Sequence, residues 1–317
     1  MHIAKVLITD NIDEICTNSL RSAGIHVDVK VGLTKEQLVA DISQYDALVV
    51  RSQTKVTADV IQAGKPQLKL VGRAGTGVDN IDLKAASAAG VMVLNTPMGN
   101  TMSAAEHTCA MIMACSRNIP QGNEALKAGN WKLRSKLMGN ELYEKTIGII
   151  GLGRIGREVA TRMQAFGMKT IGYDPLVPPQ ASKEFGVEGL SLEQIWPQAD
   201  YLTIHVPLIP QTKNLLCDDV FAKCKPGFRV VNVARGGVVD EDALLRALQS
   251  GRCAGAALDV FAEEPPQNAA LLQHPRMVAT PHLGASTVEG QQRCAAEIAA
   301  EVVNASQGKT PNGIVKG

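Results

Sequence analysis

Short apolar segments alternate with helical patterns along the whole chain. A first series of such segments covers residues 4–9, 46–50, 69–72 and 91–95, and a second covers residues 146–151, 169–174, 201–206, 229–233, 254–260 and 276–280. Strands buried on both faces of a parallel sheet have this character, and crossover helices separate them. The pattern therefore predicts an α/β fold with two Rossmann-like, doubly wound parallel-sheet domains and a cleft between them.

Three residue pairs have the spacing of a capping box and predict where helices begin: Thr34 with Gln37, Ser103 with Glu106, and Ser286 with Glu289. The second pair precedes residues 104–115, which are apolar nearly all round, as expected of a helix buried between domains or subunits. The third pair precedes a long helix that reaches about Gln307. One face of this helix is apolar and is expected to return the chain to the first domain.

A glycine-rich segment, Gly151-Leu-Gly-Arg-Ile-Gly156, directly follows a predicted strand and opens a predicted helix. In a dinucleotide-binding loop Gly151 would allow the tight turn, Gly153 would admit the pyrophosphate, and Gly156 would let helix and strand pack closely. Asp174 ends the next strand, where an acidic side chain binds the ribose hydroxyls and repels a 2′-phosphate. The sequence therefore predicts NAD, in preference to NADP, as the cofactor.

The length of 317 residues suggests two domains. We expect a discontinuous substrate-binding domain of residues 1–98 and 287–317 around an inserted NAD-binding Rossmann domain of residues 99–286.

Composition narrows the partners. A formal net charge of +1, with 45% hydrophobic and 20% charged residues, suits a globular protein and offers no reason to expect nucleic acid or a membrane. The seven cysteines form no Cys-x-x-Cys pair or His/Cys cluster, so we expect free thiols and no metal. The N-terminal segment resembles a strand rather than a signal peptide, and we expect a cytoplasmic protein that binds a small-molecule substrate.

Three polar residues lie at predicted strand ends in the second domain: Arg235, Glu264 and His282. Oxidation of an alcohol releases a hydride and a proton, and histidine is the base that titrates near neutrality. A nearby glutamate would orient the ring, and arginine binds a carboxylate through two parallel hydrogen bonds. We therefore expect these three as catalytic residues acting on a small 2-hydroxy acid. The other histidines are expected to be packing or surface residues: His2, His26, His107, His205 and His274.

Four segments together resemble a known family: Gly-Leu-Gly-Arg-Ile-Gly, Val-Ala-Arg-Gly-Gly-Val-Val-Asp, Leu-Asp-Val-Phe-Ala-Glu-Glu-Pro and Pro-His-Leu-Gly-Ala-Ser-Thr. In order and spacing they are similar to the D-isomer-specific 2-hydroxyacid dehydrogenases. The motifs and the resemblance place the following residues around NAD: Thr76, Gly151, Gly153, Arg154, Ile155, Gly156, Asp174, Val206, Pro207, Val233, Ala234, Asp259 and Gly284. Val206 stands where relatives carry threonine, so a side-chain hydrogen bond there is open to question. Asp259 is either a helix cap or a group near the nicotinamide, and we favour the second role.

Further segments, among them Val-Gly-Arg-Ala-Gly-Thr-Gly-Val-Asp and Arg-Ser-Gln-Thr-Lys-Val-Thr, resemble the family members that oxidise 3-phospho-D-glycerate. The resemblance implies a substrate site made of Arg51, Arg73, Gly75, Arg235 and His282, with Arg51 and Arg73 on the phosphate. Arg134 and Lys136 are either solvated surface residues or contributors to a neighbouring subunit's site. We expect at least a homodimer, paired through residues 104–115 and the segment through Trp131.

Two other functions remain open. One is a different enzyme of the family, such as a glyoxylate/hydroxypyruvate reductase. The other is a binding protein that senses NAD. Corepressors with this fold do so, and they keep the catalytic trio. The long C-terminal extension of animal relatives is missing, so the sequence is either a part of a longer chain or a short natural form.

Overall fold

A computed structural model describes residues 1–315, so the last two residues of the segment 287–317 lie outside the described part. The chain divides into two compact units. Unit 1 contains Met1–Thr101 and the chain from Ala285 onward, and unit 2 contains Met102–Gly284.

Unit 1 is built on a six-stranded sheet with the order β13-β5-β4-β3-β1-β2. Its strands are β1 (Lys5–Ile8), β2 (His26–Val29), β3 (Ala47–Val50), β4 (Leu70–Arg73), β5 (Met92–Leu94) and β13 (Ile314–Val315). All neighbouring pairs are parallel except β13 with β5. Arg73 is the last residue of β4 rather than the first residue after it, and it pairs in register with Val50 of β3.

Unit 2 is built on a seven-stranded, fully parallel sheet with the order β12-β11-β10-β9-β6-β7-β8. Its strands are β6 (Thr146–Ile150), β7 (Lys169–Tyr173), β8 (Glu188–Gly189), β9 (Tyr201–Ile204), β10 (Phe228–Asn232), β11 (Cys253–Leu258) and β12 (Met277–Ala279). The carboxyl ends of neighbouring parallel strands meet at one edge of a sheet, where ligands bind in open α/β folds.

Thirteen α-helices and two 3₁₀ helices connect the strands within residues 1–315. In unit 1 the α-helices are α1 (Glu14–Ser22), α2 (Lys35–Asp41), α3 (Ala58–Ala63), α4 (Leu83–Ala89) and α13 (Val288–Ser306). The others are α5 (Thr101–Arg117), α6 (Ile119–Lys127), α7 (Arg154–Ala165), α8 (Pro179–Lys183), α9 (Leu192–Ile195), α10 (Asp218–Lys223), α11 (Glu241–Gln249) and α12 (Ala269–Leu272). The 3₁₀ helices are Ile42–Gln44 and Trp131–Lys136. None of the helices in this described part is both long and apolar enough to cross a membrane.

Each sheet carries a core on both faces, because alternate strand residues point to opposite sides. In β1, Val6 and Ile8 pack with α1 and α13, whereas Leu7 packs with α2, α3 and α4. In β6, Ile150 packs with α11, whereas Ile147 and Ile149 pack with α5 and α7. The predicted α/β fold with two Rossmann-like domains is confirmed.

Three short strands were not predicted, namely β2, β8 and β13. They lie at sheet edges, where one side of the strand has no neighbour and the residues need not form a long apolar run. The antiparallel β13 also departs from the all-parallel prediction. Gly313 makes its approach possible, since a Cβ there would lie 2.2 Å from the carbonyl oxygen of Asn95.

Two of the three capping-box predictions are wrong, and one is confirmed. Thr34 and Gln37 cap α2 reciprocally. Ser103, however, is buried inside α5, which begins at Thr101. The cap of α13 is Thr287, one residue after the predicted Ser286, because the backbone of Thr287 is extended and its hydroxyl accepts from the N–H of Gly290 at 3.0 Å.

Helix α5 has one buried face rather than an apolar surface all round. Ala105, Met111, Ile112 and Cys115 pack in the core of unit 2, while Glu106 and Ala110 are exposed. That apolar face covers the sheet of its own unit, and a position of this helix between domains or subunits stays a prediction.

Candidate active site

The glycine-rich loop connects β6 to α7. Gly151 has a φ of +97°, and a Cβ there would lie 2.5 Å from the carbonyl oxygen of His205. A Cβ on Gly156 would lie 2.1 Å from the carbonyl oxygen of Gly151, so only glycine lets the helix begin so close to the strand. Gly153, the N-cap of α7, faces open space within 4 Å. The loop therefore has room for a phosphate beside the helix N-terminus, as a dinucleotide requires.

Asp174 follows β7 directly and holds the glycine-rich loop. One carboxylate oxygen accepts from the N–H of Leu152 at 2.8 Å, and the other accepts from the N–H of Leu176 at 2.8 Å. Because a carboxylate has about four acceptor sites, acceptor capacity remains for ribose hydroxyls. Arg154 is exposed at the start of α7, and Ile155 is half-buried beside it.

Most of the other residues predicted around NAD follow the carboxyl ends of neighbouring strands in unit 2. Val206 and Pro207 follow β9, Val233 and Ala234 follow β10, Asp259 follows β11, and Gly284 follows β12. Thr76 belongs to unit 1, where its hydroxyl donates to the side-chain oxygen of Asn100 at 2.6 Å.

His282 and Glu264 form a close pair. The Nδ1 atom of His282 lies 2.8 Å from Oε2 and 3.1 Å from Oε1 of Glu264. Since an ionised carboxylate only accepts hydrogen bonds, Nδ1 carries the hydrogen and Nε2 is the ring nitrogen left for proton transfer. Both side chains are more than 40% exposed, so substrate and solvent can reach them.

Arg235 lies on a loop whose backbone is held by hydrogen bonds to a buried side chain. The buried Asn232 accepts from the N–H of Ala234 at 3.0 Å and donates to the carbonyl oxygen of Arg235 at 2.8 Å. The next residue, Gly236, packs so tightly that a Cβ would lie 1.7 Å from the carbonyl oxygen of Phe261. This contact joins the loop of Arg235 to the segment that leads to Glu264, so the structure brings the loops of the predicted trio together within unit 2.

Asp259 is completely buried beneath His282. Burial works to raise the pKa of this carboxyl, but hydrogen bonds from His107, Thr280 and the N–H groups of Leu283 and Gly284 outweigh it and hold the pKa below its usual range. A buried carboxylate with this many donors stays ionised at neutral pH.

Arg51 and Arg73 leave neighbouring strands of unit 1 at the same edge, since Arg73 pairs with the residue before Arg51. Burial raises the pKa of the Cys294 thiol, and the positive charges of Arg73 and Arg51 only partly offset this effect. Arg51 also lines a pocket of about 500 Å³ together with Asn11, Asp13, Ser286, Thr287, Val288 and Gln291. The guanidinium of Arg73 lies over Gly75, where a Cβ would collide with Nη1.

The backbone of Arg51 is held by residues that the sequence analysis did not single out. The buried Asp10 accepts from the N–H of Arg51 and from the hydroxyl of Thr54 at 2.6 Å. Asn80 donates to the carbonyl oxygens of Arg51 and Thr54 at 2.8 and 2.7 Å. Asp10 was findable, because it follows β1 as the other candidates follow their strands. Asn80 has no comparable signal.

The seven cysteines are free in this structure, and burial raises the pKa of Cys16, Cys224 and Cys253 to about 12. Within residues 1–315, no group of three or more His, Cys, Asp or Glu side chains has the arrangement of a metal site.

Comparisons with known proteins agree with this geometry. Residues 109–284 match the family described as D-isomer specific 2-hydroxyacid dehydrogenase, NAD binding domain. D-3-phosphoglycerate dehydrogenase of Homo sapiens is 58% identical over 314 residues, which cover 99% of this chain and 58% of that protein. The chain thus spans little more than half the length of such relatives.

Two solved structures extend the comparison. The TT0316 protein from Thermus thermophilus superposes with a TM-score of 0.89 at 32% identity, covering 98% of this chain and 99% of that one. D-lactate dehydrogenase from Aquifex aeolicus, complexed with NAD and lactic acid, superposes with a TM-score of 0.86 at 26% identity, covering 99% of each chain. This chain belongs to the D-isomer specific 2-hydroxyacid dehydrogenase family and contains the NAD binding domain of that family.

Proposed function

We propose that this protein catalyses the NAD-dependent oxidation of 3-phospho-D-glycerate to 3-phosphohydroxypyruvate, which leads towards serine. The observation that carries the proposal is the pair of His282 and Glu264 beside the loop of Arg235, in the unit that binds NAD. The name and the 58% identity of the relative in Homo sapiens support the choice of substrate.

The chemistry follows from the hydrogen-bond pattern. NAD⁺, which the glycine-rich loop and Asp174 would hold, would supply the acceptor for the hydride at C2 of the substrate. His282 takes the hydroxyl proton at Nε2, because Nδ1 is held by Glu264, and the adjacent carboxylate stabilises the imidazolium that forms. Arg235 would bind the substrate carboxylate through two parallel hydrogen bonds and orient C2.

Two arginines would distinguish this substrate from other 2-hydroxy acids. A phosphate carries up to two charges and is best bound by several cationic donors, and Arg51 and Arg73 leave unit 1 at one sheet edge. The brace of Asp10 and Asn80 under Arg51 fixes that loop before substrate arrives, which reduces the entropy lost on binding. In this proposal residues 1–98 and 287–317 form the substrate-binding domain, and residues 99–286 form the NAD-binding domain.

The test compares 3-phosphoglycerate with D-glycerate, by the absorbance of NADH, for the wild type, Arg51→Ala, Arg73→Ala and the control Arg246→Ala. Arg246 is a surface arginine of α11 that pairs with Asp218. Each charged hydrogen bond contributes about 1.5 to 3 kcal/mol, so kcat/KM for 3-phosphoglycerate should fall about tenfold to a hundredfold in the first two variants. D-glycerate should hardly respond, and Arg246→Ala should match the wild type.

Equal wild-type efficiency on both substrates would reject the phosphate assignment. Preferential reduction of glyoxylate or hydroxypyruvate would instead indicate the reductase function. NADH binding without turnover of any 2-hydroxy acid would indicate an NAD-sensing protein.

The seven free cysteines fit a reducing compartment, so a cytoplasmic location remains part of the proposal.

A further inference from the structure

A buried cluster of hydrogen bonds lies directly beneath the backbone of His282. Its centre is Asp259, the residue after β11, which has no exposed surface. Carboxylate atom Oδ1 accepts from the hydroxyl of Thr280 at 2.6 Å and from the N–H of Leu283 at 2.7 Å, and it lies 3.2 Å from Nε2 of His107. The other oxygen, Oδ2, accepts from the N–H of Gly284 at 2.8 Å.

Asp259 also binds His282 itself, because its main-chain oxygen accepts from the N–H of His282 at 2.9 Å. Three consecutive N–H groups, those of residues 282–284, therefore donate to this one residue. The φ of His282 is +55°, in the left-handed region that residues other than glycine rarely adopt. Such a conformation persists only where the surroundings hold it, and Asp259 supplies that hold.

The donors and acceptors around His107, a residue of α5, show that its Nε2 atom carries a hydrogen. The ring atom Nε2 lies 3.1 Å from the hydroxyl oxygen of Thr280 as well as 3.2 Å from the carboxylate. The single hydroxyl hydrogen of Thr280 points to Asp259 at 2.6 Å, since the sulfur of Met111 at 3.7 Å is a much weaker acceptor. Both neighbours of Nε2 are therefore acceptors, so Nε2 carries a hydrogen and shares it between them.

We propose that His107 is a positioning residue of the reaction: its Nε2–H orients Asp259 and Thr280, and Asp259 in turn holds the backbone of the acid–base residue His282. This inference rests on the proposed function of His282.

Two substitutions of His107 distinguish the effect of its hydrogen-bond donor from the effect of its side-chain volume. In His107→Gln the side-chain amide nitrogen can occupy the place of Nε2 and donate a hydrogen bond, whereas His107→Phe keeps a ring but has no donor. We expect kcat to fall about tenfold or more in His107→Phe and to recover largely in His107→Gln, because a hydrogen bond to a charged group is worth at least one factor of ten. The Kd of NADH, measured by fluorescence, should stay within about threefold of wild type in both.

A second pair of variants repeats the logic at Thr280, where Thr280→Val removes the hydroxyl at nearly constant shape and Thr280→Ser keeps it. Thr280→Val should lower kcat like His107→Phe, and Thr280→Ser should not. These variants test the cluster even if His107→Phe folds poorly, which its melting temperature reveals.

Hydrogen exchange of the free protein gives a readout that needs neither substrate nor turnover. The amides of residues 282–284 should exchange about tenfold faster in His107→Phe than in wild type, and His107→Gln should restore protection. If exchange is unchanged in His107→Phe, or if both variants of His107 lose kcat equally, the proposal is wrong. A loss of NADH affinity that accounts for the whole loss of activity would also overturn it. If 3-phosphoglycerate proves not to be the substrate, the exchange result still decides the proposal.

Discussion

At the scale of single residues, Asp174 combines an observed structural role with a proposed role in cofactor selection. Its carboxylate holds the N–H of Leu152 in the glycine-rich loop, and its negative charge stands where the adenosine ribose is expected. The same two carboxylate oxygens accept the hydrogen bond from the loop and carry the charge. A useful substitution must therefore remove the charge and keep the hydrogen-bond acceptor.

Asp174→Asn removes the charge and keeps an acceptor for the N–H of Leu152, whereas Asp174→Ala removes both. We expect the preference for NAD over NADP to narrow in both variants, by about 1 to 3 kcal/mol in the ratio of kcat/KM values, since the repulsion of the 2′-phosphate is lost. Asp174→Ala should also bind NAD more weakly than Asp174→Asn does. A wild type that uses NADP as efficiently as NAD would contradict this prediction.

The pair of Glu264 and His282 makes a prediction about turnover. In the proposed reaction the carboxylate of Glu264 accepts from Nδ1 of His282 and stabilises the imidazolium that protonates the ketone. Glu264→Gln removes the charge and keeps the size of the side chain, so kcat of the reduction should fall about tenfold or more, because a hydrogen bond to a charged group contributes about 1.5 to 3 kcal/mol.

His282→Gln is the companion variant, which should abolish most turnover while leaving the Kd of NADH unchanged. If kcat of Glu264→Gln equals that of wild type, the carboxylate does not act on the acid–base step.

At the scale of elements, Gly153 and Gly156 in the turn between β6 and α7 are required for different reasons. Gly156 is needed for packing, because its missing Cβ would lie 2.1 Å from a backbone oxygen. Gly153 meets nothing within 4 Å, so packing does not require glycine there, and its φ of −68° suits any residue.

Gly153→Ala and Gly156→Ala should therefore differ. Gly156→Ala should lower the free energy of unfolding by about 1 to 3 kcal/mol through overpacking. Gly153→Ala should change it by at most about 1 kcal/mol, as for alanine at an N-cap, yet should weaken NADH binding at least tenfold by placing a methyl group against the pyrophosphate. Urea denaturation and NADH titration measure the two effects. Unaltered NADH affinity in Gly153→Ala would place the pyrophosphate elsewhere.

At the scale of the whole molecule, unit 2 exposes large apolar side chains along one segment. These are Ile119 at 52%, Leu126 at 61%, Trp131 at 65%, Met138 at 88% and Tyr143 at 63% exposure. Arg134 lies 5.7 Å from the centre of the Trp131 ring. Large apolar side chains that are exposed in one segment suit a contact with another protein. We propose that a second copy of the chain covers it, with the interface on α6 and the following 3₁₀ helix rather than on the buried face of α5.

The oligomeric state tests this proposal. The wild type should have the mass of a dimer at micromolar concentration in analytical ultracentrifugation, and Leu126→Glu with Trp131→Glu should be a monomer because charges cannot be buried in an apolar contact. Leu176→Glu is the control, since Leu176 is 89% exposed on the same unit but outside this segment. A monomeric wild type would exclude the dimer.

Local patterns in the sequence were sufficient for the fold class and for a set of candidate site residues. Apolar runs and turn residues depend on near neighbours, so the strands away from the sheet edges β2, β8 and β13, and the glycine-rich loop before α7, could be predicted. The rule that ligands bind at the carboxyl ends of parallel strands also pointed to Arg235, Glu264 and His282, whose loops the structure brings together in unit 2. These inferences need only the order of strands along the chain.

Only the tertiary structure decided which distant residues meet. His107 was expected to be an ordinary packing or surface histidine, yet it lies against Asp259, 152 residues further along the chain. Asp10 binds the loop of Arg51 across 41 residues, and β13 joins β5 in the antiparallel direction. A side chain's partners across such separations depend on how helices and strands pack, and no local spacing rule contains that information. For the same reason the sequence singled out His282 as a candidate, while the residues that hold its backbone became visible only in the folded chain.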